Sequence, residues 1–325
     1  MNILVTGGAG YIGSAITEAL LKAGHSVTVY DSLVTGHLQA VPEGALFVQA
    51  DLSDNLRLAT TLTDQSFDGV IHCAAFIEAG ESMRDPGRFY QNNLTNSLAL
   101  METAVRAGVK RFVLSSTAAV YQSSTEPLTE ESPLGPTNVY GHTKLMVEQA
   151  LDWYSKIHGL HYAALRYFNA AGALPGRGEA HQPESHLIPL VLRVPLGQRK
   201  EAQIYGTDYP TPDGTCIRDY IHIADLVSAH LLAMDGLRER DRLIYNLGSG
   251  NGYSVREVIE TARQVTGHPI PANELPRRPG DSARLVASSD KIKRDLGWTP
   301  EHDNLSEIIS SAWEWHQSHP NGYED

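Results

Sequence analysis

The sequence has few of the features that would place it outside the cytosol. Its two cysteines, Cys73 and Cys216, are too few for the disulfide framework of a small secreted domain. No apolar run approaches the length needed to span a membrane. The segment after Met1 has neither the basic residues nor the small-residue cleavage site of a secretory signal. We therefore expect a cytoplasmic protein.

Positive charge is also scarce. The chain of 325 residues carries a formal net charge of -12 at pH 7, which argues against a nucleic acid as its default partner. Its 14 histidines show no H-E-x-x-H or comparable ligand spacing, so no metal is expected. With 42% hydrophobic residues, a chain of this length can bury a large core and is expected to form two structural units.

Apolar, β-branched runs alternate with helical patterns through the first half of the chain. The strand candidates are "NILVT", "SVTVY", "ALFVQA", "GVIHCAA", "RFVLSST" and "YAALRYF". Near-continuous apolar strands of this kind are typical of a sheet that is covered on both faces. Helical patterns occupy 12–23, 93–107 and 139–157, and Gly24 and Gly108 end the first two. The order predicts an α/β fold with a doubly wound parallel sheet of the Rossmann type.

The second half predicts a smaller α/β substrate domain that is interleaved with the first. A Gly- and Pro-rich loop, "NAAGALPGRGEAHQPESHLIP", follows Phe168, and "DYIHIADLVSAHLLAM" and "RLIYNLGSG" are expected to return to the sheet. We assign 1–168, with return segments around 215–250, to the first domain, for which the next motif predicts NAD binding, and 169–214 and 251–325 to the substrate domain. The latter is predicted to have a helix from Val255, a Pro- and Arg-rich loop at 269–281 and a Trp-containing helix at 304–316.

The segment "TGGAGYIG" follows the first strand directly and opens the first helix. Gly7, Gly10 and Gly13 let the turn tighten, the backbone approach a pyrophosphate and the helix pack on the sheet, and the helix amides then hold the phosphates. Asp31 ends the second strand 18 residues beyond Gly13, near the spacing of about 20 at which an acid binds the ribose hydroxyls. Its charge would repel a 2′-phosphate, which favours NAD over NADP. Asp51, in "QADL", is equally consistent with an adenine contact and with an ordinary strand-end carboxylate.

The segment "NVYGHTKLMVEQ" places Tyr140 and Lys144 on one face of a helix. The ordinary pKa of a phenol is about 10, so a base that works near neutrality needs a value roughly 3 lower, and a nearby ammonium favours the phenolate. Ser115, Ser116 and Thr117 end the fifth strand at the edge where open α/β sheets bind ligands. These hydroxyls are predicted to converge with the phenol and the ammonium beside the nicotinamide, although Ser and Thr in isolation more often cap helices and turns.

The motifs "TGGAGYIG", "SST" and "YGHTK" resemble those of the extended short-chain dehydrogenase/reductases. "GTDYPTPDGTCIRDYIHIADL", "RYFNAAG", "YNLGSGNGYSV" and "RRPGD" extend the resemblance to the UDP-glucose 4-epimerases over nearly the whole chain. The resemblance implies an isomerase that inverts C4 of a UDP-hexose through a transient 4-keto sugar. It also implies NAD as the cofactor, a UDP-sugar as the substrate and a homodimer formed through the helices at 93–107 and 139–157.

The resemblance also implies roles for individual residues. Tyr140 would be the catalytic base and Thr117 its partner at the sugar 4-hydroxyl, while Lys144 would bind the nicotinamide ribose and lower the pKa of the phenol. The predicted cofactor-binding residues are Gly7, Gly10, Tyr11, Ile12, Gly13, Asp31, Asp51, Leu52, Ala74, Asn92, Ser115, Tyr140, Lys144 and Tyr167. The predicted substrate-binding residues are Thr117, Asn169, His186, Arg218, Arg278, Asp281 and Leu285.

Several alternatives stay open. Ala118 and Ala119 stand where a nucleotide-sugar 4,6-dehydratase usually has an Asp-Glu pair, which disfavours dehydration. Leu285 lies at a position that helps to set the room for the sugar 2-substituent, so epimerases for UDP-GlcNAc, UDP-pentose or UDP-uronate are alternatives. His186 stands where an asparagine commonly faces the substrate and is either a substrate contact or an ordinary loop histidine. A non-catalytic NAD-binding regulator is a rival of another class, but such proteins often lose the base that this chain keeps.

Overall fold

The computed structural model describes residues 1–278 and 281–323. Its strands are β1 Asn2–Thr6, β2 Ser26–Asp31, β3 Leu46–Gln49, β4 Gly69–His72, β5 Arg111–Thr117, β6 His161–Tyr167, β7 Asn169–Ala171, β8 Ala202–Tyr205, β9 Ile217–His222, β10 Arg242–Leu247, β11 Gly252–Ser254, β12 Ala272–Leu275 and β13 Arg284–Leu285. Seven of them form one sheet in the order β10-β6-β5-β4-β1-β2-β3, and all its neighbours are parallel. The predicted fold class is confirmed.

Helices cover both faces of this sheet. They are α1 Tyr11–Lys22, α2 Asn55–Asp64, α3 Ala79–Ser82, α4 Pro86–Phe89, α5 Asn96–Arg106, α6 Val139–His158, α7 Leu187–Leu192, α8 Ile223–Gly236, α9 Val255–Thr266, α10 Asp290–Leu296 and α11 Leu305–Ser318. On one face α1 and α8 pack in a single apolar cluster, and on the other α2, α5 and α6 share a second cluster. Within the described residues, none of the helices combines the length and the apolarity needed to cross a bilayer.

The strand pattern of the sequence follows from this layering. In β1, Ile3 and Val5 point into the cluster beneath α1 and α8, whereas Leu4 points into the opposite cluster. Successive side chains of a strand alternate between faces, so a strand that is covered on both sides is apolar at most of its positions. Each of these fully buried aliphatic side chains stabilises the fold by roughly 1.5–3 kcal/mol.

A second unit is built from the later segments. In it β9 pairs with β7, β11 and β13, and β8 pairs with β12, while α7, α9 and α11 share a separate apolar cluster. By contrast, β10 returns to the edge of the seven-stranded sheet beside β6. The segment around 215–250, which was predicted to return to the first unit, therefore contributes β9 to the second unit and β10 to the seven-stranded sheet. The domain boundaries stay a prediction.

Some element boundaries differ from the prediction. Gly24 and Gly108 adopt positive φ angles of 79° and 84° and follow the ends of α1 and α5, as predicted. However, α5 begins later than expected because Tyr90–Thr95 form a π-helix before it. The predicted loop at 269–281 contains β12, whose pairing with β8 gives an otherwise polar segment a strand conformation.

A buried ion pair fixes α6 to the sheet. Nη2 of Arg166 on β6 donates to Oε2 of Glu148 on α6 at 2.7 Å, and both side chains are buried. The hydroxyl of Ser116 also donates to Glu148, and Nη1 of Arg166 donates to the Tyr121 hydroxyl at 2.7 Å. Removing one member of such a pair typically costs about 3–5 kcal/mol because it leaves the other charge buried alone. This network therefore constrains the helix that carries Tyr140.

Candidate active site

The glycine loop between β1 and α1 is packed so closely that side chains would not fit. Gly7 has a φ of 73°, and its N–H donates to the carbonyl of Tyr30 at 2.9 Å. A Cβ on Gly7 would lie 2.5 Å from the backbone nitrogen of Ala74, and one on Gly13 would lie 2.1 Å from the carbonyl oxygen of Gly7. Close contact of the loop with α1 and with the end of β4 therefore requires glycine at both positions.

The start of α1 offers donors to an anion. Gly10 is the N-cap residue of α1, and because it has no side chain it does not accept a hydrogen bond from the helix amides. The first N–H groups of a helix, here from Tyr11 onward, have no partner within the helix, and together with the helix dipole they form an anion site. Gly10, Tyr11, Ile12 and Gly13 thus fit the pyrophosphate of a dinucleotide.

Asp31 lies directly against this loop. Its Oδ2 accepts a hydrogen bond from the N–H of Ala9 at 2.9 Å, and its Oδ1 accepts one from the N–H of Leu33 at 2.8 Å. Burial raises the pKa of this carboxyl above its ordinary value, while the two backbone donors oppose the increase. The carboxylate is therefore held in place beside the loop, where the prediction of a ribose contact requires it.

The other predicted cofactor residues line the same edge of the sheet. Asp51 follows β3 and accepts from the N–H of Ser53 at 2.8 Å, and the neighbouring Leu52 is buried. Asn92 lies in the π-helix and donates to the side chain of Asn93 at 2.9 Å. Asn93 in turn bonds both backbone groups of Phe76, so the π-helix is tied to the segment that follows β4.

Tyr140 and Lys144 lie in the first turns of α6. The side chain of Asn138 caps the helix by accepting from the N–H of Gly141 at 2.8 Å. A Cβ on Gly141 would lie 2.3 Å from the carbonyl oxygen of Ala119, so glycine allows α6 to touch the segment after β5. Nζ of Lys144 is buried and donates to the carbonyl of Ser115 at 2.8 Å. Burial lowers the pKa of Lys144 to about 8.

The electrostatics of Tyr140 differ from the prediction. Burial raises the pKa of its phenol to about 12; the hydroxyl of Thr117 opposes this rise, and the Glu78 carboxylate adds to it. The Lys144 ammonium donates to the carbonyl of Ser115. In the chain by itself the pKa of the phenol is thus raised rather than lowered, and the effect of Lys144 on it stays a prediction. Ionisation near neutral pH requires further positive charge close to Tyr140.

A series of side-chain hydrogen bonds connects Ser115 with Cys73, Tyr167 and His230. The hydroxyl of Tyr167 lies 2.7 Å from Oγ of Ser115, which lies 3.1 Å from Sγ of Cys73. The Tyr167 hydroxyl is also bonded to Nε2 of His230 on α8. Since Nδ1 of His230 faces the carbonyl of Leu226 at 2.7 Å, Nδ1 carries the proton and Nε2 is the acceptor. Cys73 and His230 were not predicted, because nothing in their local sequence indicates contact with this site.

The predicted substrate residues also come together. Nη2 of Arg218 lies 3.8 Å from Oδ1 of Asp281, and Nε of Arg278 donates to Oδ2 of the same carboxylate at 2.9 Å. Asn169 on β7 donates to the backbone of β9, and Leu285 pairs with Arg218 in the sheet. Ordinary surface charges also pair in this way, so the predicted substrate-binding role of these residues stays a prediction.

His186 immediately precedes α7, and its Nδ1 is bonded to the carboxylate of Glu179. Although desolvation lowers the pKa of His186, Glu179 and Glu184 raise it to about 9. The same loop brings His181 to 2.9 Å from Glu179. This grouping of two histidines and two glutamates was missed in the sequence, although the spacing E-x-H-x-x-E-x-H was visible in it.

Comparison with known proteins identifies the family. Residues 3–248 match the NAD dependent epimerase/dehydratase family. The chain belongs to this family. It is 50% identical over 327 residues to a UDP-glucose 4-epimerase of Halalkalibacterium halodurans, with 99% of this chain and 98% of that one covered.

Solved structures of family members agree. A crystal structure of a UDP-glucose 4-epimerase has a TM-score of 0.97 and 50% identity, with both chains covered completely. The UDP-glucose 4-epimerase of Bifidobacterium longum in complex with NAD+ and UDP has a TM-score of 0.95 and 37% identity, with 99% and 100% covered. The family resemblance predicted from the sequence motifs is confirmed.

We predict that Gly13→Ala weakens NAD binding at least tenfold, about 1.4 kcal/mol. The added Cβ would lie 2.1 Å from the Gly7 carbonyl oxygen, so the loop or α1 must shift. Calorimetric titration with NAD measures the effect. Gly87→Ala is the matched control, because the nearest atom to its added Cβ would be 3.8 Å away. Equal NAD affinity of Gly13→Ala and the wild type would contradict the proposed role of the loop.

The phenol of Tyr140 is predicted to ionise at lower pH when NAD+ is bound. Burial, with a smaller contribution from Glu78 and against the effect of Thr117, holds its pKa at about 12, and a positive ring beside the phenol favours the charged form. The measurement is an ultraviolet difference titration of wild type against Tyr140→Phe, with NAD+, with NADH and with neither. NADH is the matched control because its nicotinamide is neutral. The same midpoint in all three states would rule out this electrostatic role of the cofactor.

Proposed function

We propose that this chain inverts the configuration at C4 of a UDP-hexose, interconverting UDP-glucose and UDP-galactose with NAD as its cofactor. The observation that carries the proposal is the position of the Tyr140 phenol next to the Thr117 hydroxyl, at the sheet edge that holds the glycine loop. The relatives named UDP-glucose 4-epimerase, at 50% identity over nearly the whole chain, support it.

The residues around the glycine loop fit a dinucleotide. The first turn of α1 would offer its amides to the pyrophosphate, Asp31 would accept from the ribose hydroxyls, and Ser115 and Tyr167 would line the nicotinamide side. When bound, NAD supplies a reversible acceptor for the hydride of C4. Lys144 is buried under the same edge and would hold the nicotinamide ribose.

Tyr140 is proposed to accept and return the proton of the sugar 4-hydroxyl. Oxidation of the sugar alcohol to a 4-keto sugar releases one hydride and one proton, and the phenolate of Tyr140 takes the proton from the 4-hydroxyl. After the ketone has turned over, reduction of its opposite face requires a proton on the same oxygen, and Tyr140 returns it. Thr117 holds the 4-oxygen near Tyr140 during both transfers. The configuration is inverted with no net oxidation or reduction.

The second unit is proposed to hold the nucleotide. Arg218 and Arg278 would bind the diphosphate, because a planar guanidinium pairs well with phosphate oxygens. Asp281, between them, would contact the uridine ribose, and Asn169 would contact the diphosphate. Leu285 borders the sugar, and its small size keeps a UDP-N-acetylhexosamine as the alternative substrate.

A product assay by NMR tests the proposal. We expect the purified protein to convert UDP-glucose to UDP-galactose, and UDP-GlcNAc and UDP-xylose in parallel reactions report the sugar preference. Tyr140→Phe should fold and bind NAD but lose nearly all turnover, at least about 100-fold, the lower end of the contribution expected of a general base.

Two outcomes would count against this assignment. Wild-type activity in Tyr140→Phe would exclude Tyr140 as the base. NAD binding without turnover of any UDP-sugar would support a non-catalytic regulator.

We also propose a homodimer formed through α5 and α6. Trp153 and Ile157 on α6 are 62% and 67% exposed, and residues four apart lie on one face of a helix. A second copy of α6 would bury this apolar face. Light scattering should give twice the mass of one chain for the wild type and a lower mass for Trp153→Glu. Leu56→Glu, at an 80% exposed leucine of α2, is the control. A monomeric wild type would refute the proposal.

A further inference from the structure

The loop between β7 and α7 gathers four side chains that the proposed reaction does not use together. Glu179, His181, Glu184 and His186 each offer one nitrogen or oxygen atom, and these four atoms lie within 4.8 Å of one another. Nδ1 of His181 is 2.9 Å from Oε1 of Glu179, and Nδ1 of His186 is bonded to the same oxygen. Nδ1 of His186 also lies 4.0 Å from Oε1 of Glu184.

The two carboxylates are buried side by side. The side chains of Glu179 and Glu184 are 4% and 1% exposed. Within the described parts of the chain, their ion-pair partners are the two histidines, with no lysine or arginine among them. Two buried carboxylates repel each other unless positive charge lies between them. The cluster therefore needs either protons on both imidazoles or a cation.

We propose that these four residues bind one zinc ion, each through one ligand atom. Two imidazole nitrogens and two carboxylate oxygens supply the four ligands of a structural zinc site, at bond lengths of about 2.0–2.2 Å. In a tetrahedron of that size the ligand atoms are roughly 3.4 Å apart, the same scale as the separations found here. Imidazole ligands also favour zinc over magnesium or calcium, which take oxygen ligands.

The position of the cluster indicates what the ion does. The ring of His181 packs edge-on against Tyr11, with centroids 6.5 Å apart, and Tyr11 is the first residue of α1, directly after the glycine loop. At the other end, His186 immediately precedes α7 of the second unit. The ion would thus fasten the loop that enters the second unit beside the glycine loop. With four protein ligands it is a structural ion rather than a catalytic one.

Zinc titration of the NAD-bound protein tests this inference. The protein is treated with chelator, returned to metal-free buffer, and titrated with Zn²⁺ by calorimetry and with Co²⁺ by visible absorption. We expect one ion per chain, an absorption spectrum of four-coordinate Co²⁺ and a higher melting temperature with Zn²⁺. His181→Gln and Glu184→Gln should each weaken Zn²⁺ binding at least about 100-fold, beyond the 10–100-fold typical of an outer-shell partner.

Matched controls separate this site from ordinary surface ligands. His158→Gln and Glu239→Gln change an exposed histidine and an exposed glutamate elsewhere and should bind Zn²⁺ as the wild type does. Circular dichroism establishes that each variant is folded. Failure of the wild type to take up one Zn²⁺, or unchanged uptake in both site variants, would overturn the inference and leave protonated histidines as the charge balance. Neither outcome depends on turnover of a UDP-sugar.

Discussion

The contact between the start of α6 and the end of β5 is the constraint on which the site depends. Gly141 approaches the carbonyl of Ala119 so closely that a Cβ would lie 2.3 Å from its oxygen. This approach brings Tyr140 to Thr117, and one turn later it brings the Lys144 ammonium to the carbonyl of Ser115. Gly141, which lies between Tyr140 and Lys144 in the sequence, is therefore as important to the geometry of the candidate site as those two residues.

The same contact sets the electrostatics of Tyr140. Burial of the phenol between α6 and β5 makes its anion costly, and the nearby Lys144 ammonium donates to a backbone carbonyl. A phenol held neutral in this way ionises near neutral pH only when positive charge enters the site, so a bound nicotinamide would couple the ionisation of Tyr140 to its own redox state. Such coupling suits a reaction that needs a base for oxidation and an acid for reduction, carried out by one group.

The sequence predicted those parts of the molecule that depend on local pattern. Apolar strands covered on both faces, the stops at Gly24 and Gly108 and the glycine loop are each encoded within a few residues. The strand conformation of β12, the contact of His230 with Tyr167 and the orientation of Lys144 all depend on elements that are distant in the chain. Side-chain direction in particular is set by packing, so spacing alone placed Tyr140 and Lys144 on one face of α6 but could not show that the Lys144 ammonium donates to the carbonyl of Ser115.

Two buried acids of the second unit show how the fold can neutralise a carboxylate in different ways. Asp219 on β9 accepts from the N–H and hydroxyl of Ser249 and from the N–H groups of Gly250 and Ala287, all at 2.8–3.0 Å. Four donors satisfy the anion, and they join β9, which carries Arg218, to two other segments. Glu179 is equally buried, but its side-chain partners in the described residues are two imidazoles. A neutral imidazole offers one N–H, and its other nitrogen is an acceptor that suits a metal. Asp219 is thus satisfied by donors within the fold, whereas the Glu179 cluster requires either protonated imidazoles or the proposed zinc ion.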